Sequence, residues 1–187
     1  VEIRVNPEER TAFKMYIRIP GWAQYNLLPG DLYHYGKGEK PKKEKMALRV
    51  NGRKVRKPVI ENGYAMIERE WDTGDKVQLE LPMDIRMVKG NPRIEDALGK
   101  VVLMRGPIVY CIEEVDNEDY FDASETPVLL PSDLDFKKQD ELLNSVVTIH
   151  GKASISGSEA LIDLTAIPYY AWNNRGQGQM KVWLPVK

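Results

Sequence analysis

Apolar and polar positions alternate along most of this chain. Phe13, Met15, Ile17 and Ile19 are apolar, Lys14 and Arg18 are charged, and Tyr16 stands between them. A period of two marks a strand with one face in a core and the other in solvent. Val77, Leu79 and Leu81 alternate with Lys76, Gln78 and Glu80 in the same way. Ala160, Ile162, Leu164 and Ala166 alternate with Leu161, Asp163 and Thr165, with only Leu161 out of pattern. Met180, Val182 and Leu184 continue the theme and place Trp183 on the opposite face of its strand. Two packed domains would cover both of that strand's faces. Asn51-Gly52 and Asn62-Gly63 each separate alternating segments, and Asn-Gly supplies the positive φ angles of a tight hairpin. Thr73 to Asp75 reads as a third turn.

Helical periodicity is nearly absent. The best candidate, Ser132 to Asn144, has Ser132 as an N-cap and Leu134, Leu142 and Leu143 as apolar points, but its spacing fits a helix poorly. Many short strands joined by turns predict an all-β chain of one or two antiparallel β-sandwich, jelly-roll-like domains. The stretch from Arg86 to Gly99 has two glycines, a proline and little alternation, so it reads as a boundary. The division is then 1–88 and 98–187, with one large sandwich as the alternative. Gln24 to Lys45 reads as a long excursion from the first domain. Its tyrosines Tyr25, Tyr33 and Tyr35 and its histidine His34 either face a ligand or ride on a surface loop.

Composition narrows the function classes. Apolar residues at 42% and charged residues at 29% allow a core, so the chain is not a disordered tail. The formal net charge is −1. The only basic run, Lys40 to Lys45, lies beside glycines and a proline and reads as solvated loop. No nucleic-acid partner is therefore expected. No apolar run reaches eighteen residues, so no membrane partner is expected either. The chain opens on "VEIRVNPEERTAF", already strand-like, and the N-terminus reads as a boundary inside a larger protein whose compartment stays unassigned.

The search for chemistry finds little. Cys111 is the single cysteine and lies in the apolar run "GPIVYCIEE", where a strand core is a better reading than a reactive thiolate. His34 and His150 are far apart, and His150 before Gly151 reads as the end of a strand at a turn. No metal-ligand spacing is present. Glu113, Glu114, Asp116, Glu118, Asp119 and Asp122 cluster after a strand. Glycoside hydrolysis needs two carboxyls facing one cleft, whereas neighbouring strand residues point to opposite faces. The cluster reads as a solvated acidic loop. It lacks the glycine and terminal glutamate of an EF-hand calcium loop.

Several motifs in order resemble one family. "RIPGWA" (Arg18 to Ala23) is followed by "VNG" (Val50 to Gly52), "GYAMIEREWDTGDKVQLELPMDIR" (Gly63 to Arg86), "RGPIVYCIE" (Arg105 to Glu113) and "LTAIPYYAWNNRGQGQMKVWLP" (Leu164 to Pro185). Together they resemble the C-terminal part of glycoside hydrolase family 127, a bacterial family of β-L-arabinofuranosidase-like proteins. The excursion from Gln24 to Lys45 is longer than that pattern usually carries. The resemblance implies a helical (α/α)6 catalytic barrel followed by β-sandwich domains. It also implies a cysteine nucleophile beside a zinc ion held by cysteines and a glutamate, all in the barrel. None of those residues maps onto this chain. The resemblance thus implies a non-catalytic end of an enzyme: no catalytic residue, no metal ligand and no cofactor here, with zinc confined to the helical part.

The last motif carries the candidate contact residues. Tyr169, Tyr170 and Trp172 stand beside Asn173, Asn174 and Arg175, and Trp22 follows Pro20-Gly21 at a strand end. Aromatics beside amides and a guanidinium suit either a sugar or a neighbouring domain. Pro168 ends regular pairing, so the stretch reads as a strand–loop–strand corner. The expected partners are the enzyme's own helical catalytic domain, with a homodimer and a carbohydrate as further candidates. Trp22 reads as a lid on the first sandwich, and Trp71 as a cover over a sheet edge.

Overall fold

The structure, a computed structural model, describes residues 1–24, 26, 30–36, 46–156 and 160–186. Its strands are β1 (Glu2–Val5), β2 (Thr11–Arg18), β3 (Tyr33–Tyr35), β4 (Ala47–Val50), β5 (Arg53–Lys54), β6 (Val59–Glu61), β7 (Tyr64–Trp71) and β8 (Asp75–Glu80). They continue as β9 (Ile85–Gly90), β10 (Lys100–Arg105), β11 (Ile108–Glu113), β12 (Val128–Gln139), β13 (Val146–Ser154), β14 (Leu161–Pro168), β15 (Met180–Lys181) and β16 (Trp183–Pro185). A four-residue helix, α1 (Glu118–Phe121), and short 3-10 turns complete the described residues. The chain is all-β.

The chain divides into two units, Val1–Leu28 with Lys40–Met83, and Pro29–Glu39 with Asp84–Lys187. The first unit is a sandwich of a four-stranded sheet, β1-β8-β4-β5, and a three-stranded sheet, β2-β7-β6. The period-two positions meet between them: Ile17, Leu48, Ile67, Val77 and Leu79 are buried together. Both Asn-Gly pairs adopt the expected positive φ, at Asn51 and Gly52 and at Asn62 and Gly63, and close the β4–β5 and β6–β7 hairpins. Gly74 makes the third turn, with φ +91°. Trp71 corrects its reading as an edge cover. It is fully buried at the centre of this core, stacks on Phe13 with ring centroids 5.5 Å apart, and donates Nε1–H to the Phe13 carbonyl at 3.1 Å. An apolar neighbour and a backbone acceptor together satisfy both halves of the indole.

In the second unit the two layers are halves of one curled sheet, ordered β12-β13-β14-β11-β10-β9-β3, with β15 on β11 and β16 on β10. A parallel bridge from Leu129 to Val186 ties the end strand β12 to the residue that follows β16. The concave side buries Leu103, Ile112, Tyr120, Ile149, Leu164 and Leu184, among others. Three elements depart from the sequence reading. Ile85–Gly90, inside the stretch read as a boundary, is strand β9 with Arg86 buried. Ile85 and Met87 face the core and Arg86 and Val88 are buried on the other face, so a strand covered on both sides shows little alternation. The Ser132–Asn144 helix candidate is instead the end of β12 and a turn through Leu142 and Leu143. His150 lies mid-strand in β13, paired with Asp135 on one side and Thr165 on the other, and not at a turn.

The excursion contributes to this second unit. Tyr33–Tyr35 forms β3 on the edge of β9, Tyr33 stacks on Trp183 with centroids 6.3 Å apart, and Arg86 donates to the Tyr35 hydroxyl at 3.0 Å. Trp183 is thus covered on its second face from within its own unit. Tyr25 and the basic run Lys40 to Lys45 lie outside the described residues.

Candidate functional site

Strand β14 ends at Pro168, which pairs with Tyr110 and has no N–H to continue the ladder. The chain then makes a 3-10 turn over Tyr169–Ala171. Ala171 points inward and seals an apolar cluster with Cys111, Val146 and Ile167 on the convex side of the sheet. The large side chains on the turn point out. Tyr170 is 69% exposed and Trp172 39%. Tyr169 and Trp172 stack on each other with centroids 6.0 Å apart and planes 22° from parallel. The expected strand–loop–strand corner is present, with aromatics on its outside.

Of the corner's polar residues Arg175 turns inward, while Asn173 and Asn174 stay exposed. Arg175 donates from Nη1 to Asp116 Oδ1 at 2.8 Å and from Nη2 to Asp116 Oδ2 and Glu113 Oε2, both at 2.5 Å. The two carboxylates, Asp116 first, push its guanidinium pKa further above its ordinary value. Asn173, at φ +63°, donates its backbone N–H to Glu113 Oε1 at 2.9 Å. Asn174 donates its amide to the carbonyls of Ala171 and Trp172. Gln179 N–H reaches Glu114 Oε2 at 2.7 Å, and Glu114 N–H returns to the Gln179 carbonyl. Carboxylates at the end of β11 thus staple both ends of the loop. Charge-assisted bonds of this kind are about twice as strong as neutral ones, and a bidentate fork adds orientation.

This corrects the reading of the acidic cluster as a solvated loop. Glu113 is buried, Glu114 and Asp116 are half-buried, and Glu118, Asp119 and Asp122 face solvent. Asn117, buried among them, ties the segment to β14: it donates to the Glu113 and Thr165 carbonyls and accepts the Thr165 N–H. Sequence reasoning passed over Glu113, Glu114, Asp116 and Asn117 as site residues. The only signal was three acids ending a strand in a chain whose one conspicuous loop arginine, Arg175, lay sixty residues away. Of the seven candidates, Tyr169 to Arg175 gather in this corner. Trp22 stands in the first unit, half-buried in the 3-10 turn Gly21–Gln24.

Cys111 lies beneath the corner, buried in the sheet as expected, and burial pushes its thiol up to about 12. A thiol so protonated is no nucleophile at neutral pH. Zinc does not fit these residues: no three His, Cys, Asp or Glu side chains converge among the described residues. Another polar patch is a concavity on β12–β14 lined by Asp135, His150, Lys152, Leu161 and Asp163. There His150 Nε2 meets Thr148 Oγ1 at 2.8 Å, and Lys152 pairs with Asp163. No helix among the described residues is long and apolar enough to cross a membrane.

Known proteins share this architecture. The family model of the beta-L-arabinofuranosidase GH127 middle domain matches residues 1–83, and that of the glycoside hydrolase family 127 C-terminal domain matches residues 85–185. A non-reducing end beta-L-arabinofuranosidase of Bifidobacterium longum subsp. longum is 28% identical across 89% of this chain and 25% of its own length. A solved GH127 beta-arabinofuranosidase superimposes with a TM-score of 0.80 at 36% identity, over 100% of this chain and 30% of that one. A GH127 beta-L-arabinofuranosidase from Geobacillus stearothermophilus T6 gives a TM-score of 0.78 at 35% identity, over 100% of this chain and 28% of that one. The chain therefore spans between 25% and 30% of the length of these relatives. With both of its units matched in order by the middle and C-terminal domain models, the chain belongs to glycoside hydrolase family 127.

Proposed function

We propose that this chain is a non-catalytic β-sandwich region of a glycoside hydrolase akin to β-L-arabinofuranosidases, and that it packs on the helical catalytic part of the same enzyme. The Tyr169–Trp172 corner is one of its contacts. The observation that carries the reading is the commitment of the Arg175 guanidinium and the Asn174 amide to partners within the chain. Arg175 is held by Glu113 and Asp116, Asn174 is spent on backbone carbonyls, and Glu113 also takes the Asn173 N–H. A sugar would need those donors and acceptors for its hydroxyls. A glycosidase would need a free carboxyl pair or an activated nucleophile. What remains outside is preorganised aromatic surface, and rigid Tyr and Trp anchors are what protein interfaces are enriched in.

Zinc and the nucleophile of such an enzyme would reside in the helical part, outside these residues. The test is direct. The purified 187-residue chain is incubated with a chromogenic β-L-arabinofuranoside and titrated calorimetrically with arabinose-containing oligosaccharides. The expected result is no product and no heat of binding. Turnover above the reagent blank overturns the non-catalytic reading, and saturable binding lost in Trp172→Ala moves the corner to carbohydrate recognition.

A further inference from the structure

Only Asn51 and Asn62 precede a glycine in this chain, and both stand exposed in hairpin turns. Their side chains are held differently. Asn51 is tied to the neighbouring strand β8. Its Nδ2 donates to Asp75 Oδ1 at 2.6 Å, and its Oδ1 accepts the Lys76 N–H at 2.8 Å. Its own N–H donates to the Lys76 carbonyl, also at 2.8 Å. The Asn62 side chain has no hydrogen-bond partner among the described residues. The strand leading into its turn, β6, is three residues long, exposed throughout and on the edge of its sheet. The residues after the turn are anchored. The Gly63 carbonyl accepts the Ile19 N–H at 2.7 Å, and Tyr64 begins the long pairing of β7 with β2. One flank of the Asn62 turn is therefore fixed, and the other is a short exposed edge of the sort that opens at low cost.

We propose that Asn62 is a self-modification site, where the side-chain amide turns into a carboxylate without an enzyme, and that Asn51 is protected from the same reaction. The Gly63 backbone nitrogen gives up its proton and attacks Asn62 Cγ. The Cγ–Nδ2 bond breaks, ammonia leaves with that proton, and a five-membered succinimide remains. Water then opens the ring. Cleavage of the new N–Cγ bond gives aspartate, and cleavage of the original peptide bond gives isoaspartate. Water and ammonia are exchanged one for one, and nothing is oxidised or reduced. Glycine suits the attack because no Cβ shields its nitrogen. The paired positive φ angles of the turn, 49° and 79°, hold that nitrogen away from Cγ, so the reaction waits on opening of the turn. At Asn51 the same opening also has to break the bonds to Asp75 and Lys76, which lowers the reactive population at least about tenfold. The product sets a new negative charge beside Glu61. In isoaspartate the main chain runs through Cβ and Cγ, which adds a methylene to the turn that pairs Glu61 with Tyr64. β6 then leaves β7, while β7 stays on β2. The inference goes beyond the hydrolase reading and does not rest on it.

The test ages the 187-residue chain at mildly alkaline pH, once folded and once in urea. Peptides spanning each Asn-Gly pair are followed by mass spectrometry for replacement of the amide NH2 by OH. Electron-transfer fragmentation separates aspartate from isoaspartate. In the folded chain Asn62 is expected to convert at least about tenfold faster than Asn51. In urea, where neither turn persists, the two rates should come within about twofold of each other. Anion exchange should resolve the converted chain by its extra charge, and Asn62→Gln should abolish that species. The isoaspartyl fraction is expected to lose amide-exchange protection across Val59–Glu61 and to keep it across Thr11–Arg18. Equal folded rates at the two asparagines, or an Asn62 that stays an amide while the urea sample converts, overturns the inference. An isoaspartyl chain with β6 still protected overturns its structural consequence.

Discussion

Replacing Arg175 by Met keeps most of the apolar stem and removes the guanidinium. Glu113 and Asp116 then lose three charge-assisted contacts at once. A hydrogen bond to a charged group contributes about 1.5–3 kcal/mol, and stripping one partner from a buried pair costs about 3–5 kcal/mol. The Arg175 side chain is 19% exposed, so water screens part of the loss and about 3 kcal/mol is the working figure. For a chain of this size that lowers Tm by about 6–12 °C. Arg175→Lys keeps the charge without the fork and should lose about half as much. The sharper assay is amide exchange. Asn173 N–H, held by Glu113, should exchange faster in Arg175→Met, while Gln179 N–H, held by Glu114, should keep its protection. A double-mutant cycle with Glu113→Gln should give a coupling of about 2 kcal/mol. A loss below about 1 kcal/mol, the range of exposed ion pairs, with unchanged exchange at Asn173, would refute the staple.

Three further outcomes are expected. The Asn51 amide, the Asp72 N–H and then Arg69 hold the Asp75 carboxyl below its ordinary 3.8, so its contribution is present above that pH and lost as pH falls toward the lower folded value. A urea titration at descending pH should show a shallower acid loss for Asn51→Ala than for the native chain. Cys111, protonated and sealed under Ala171, should resist alkylation at pH 8 in the native state and react fully in denaturant; rapid native labelling would contradict its burial. Gly90→Ala sets a methyl 2.7 Å from Ala97 Cβ and should destabilise by about 1–3 kcal/mol, as denaturant midpoints would show, with Ala97→Gly recovering part of the loss.

The strands of the first unit were legible because their period-two pattern is also the pattern of burial. Both Asn-Gly turns were legible because few dipeptides adopt two successive positive φ angles without strain. β9 escaped because both of its faces are covered: Ile85 and Met87 pack on the core, while Arg86 and Val88 are buried on the other face, where Arg86 meets Tyr35 fifty residues away. Trp71 escaped because position beside a turn suggests an edge, whereas its depth depends on Phe13 from another strand. At the corner, Tyr169, Tyr170 and Trp172 announced themselves by density. The direction of Arg175 did not, since its inside and outside are settled only once Glu113 and Asp116 are brought next to it.

Strand β3 has a consequence for dissecting the chain. The chain crosses between its two units three times, because Pro29–Glu39 belongs with the residues after Met83. A cut near residue 84, where the two family models meet, separates stretches of sequence but not folding units. A piece beginning at Ile85 would keep β9 yet lose the strand on its edge, baring the backbone groups that pair with Tyr33 and Tyr35 and uncovering the Trp183 ring. An open edge of that kind recruits foreign strands. A C-terminal piece that keeps its own fold therefore has to carry Tyr33–Tyr35 as well as the residues after Met83.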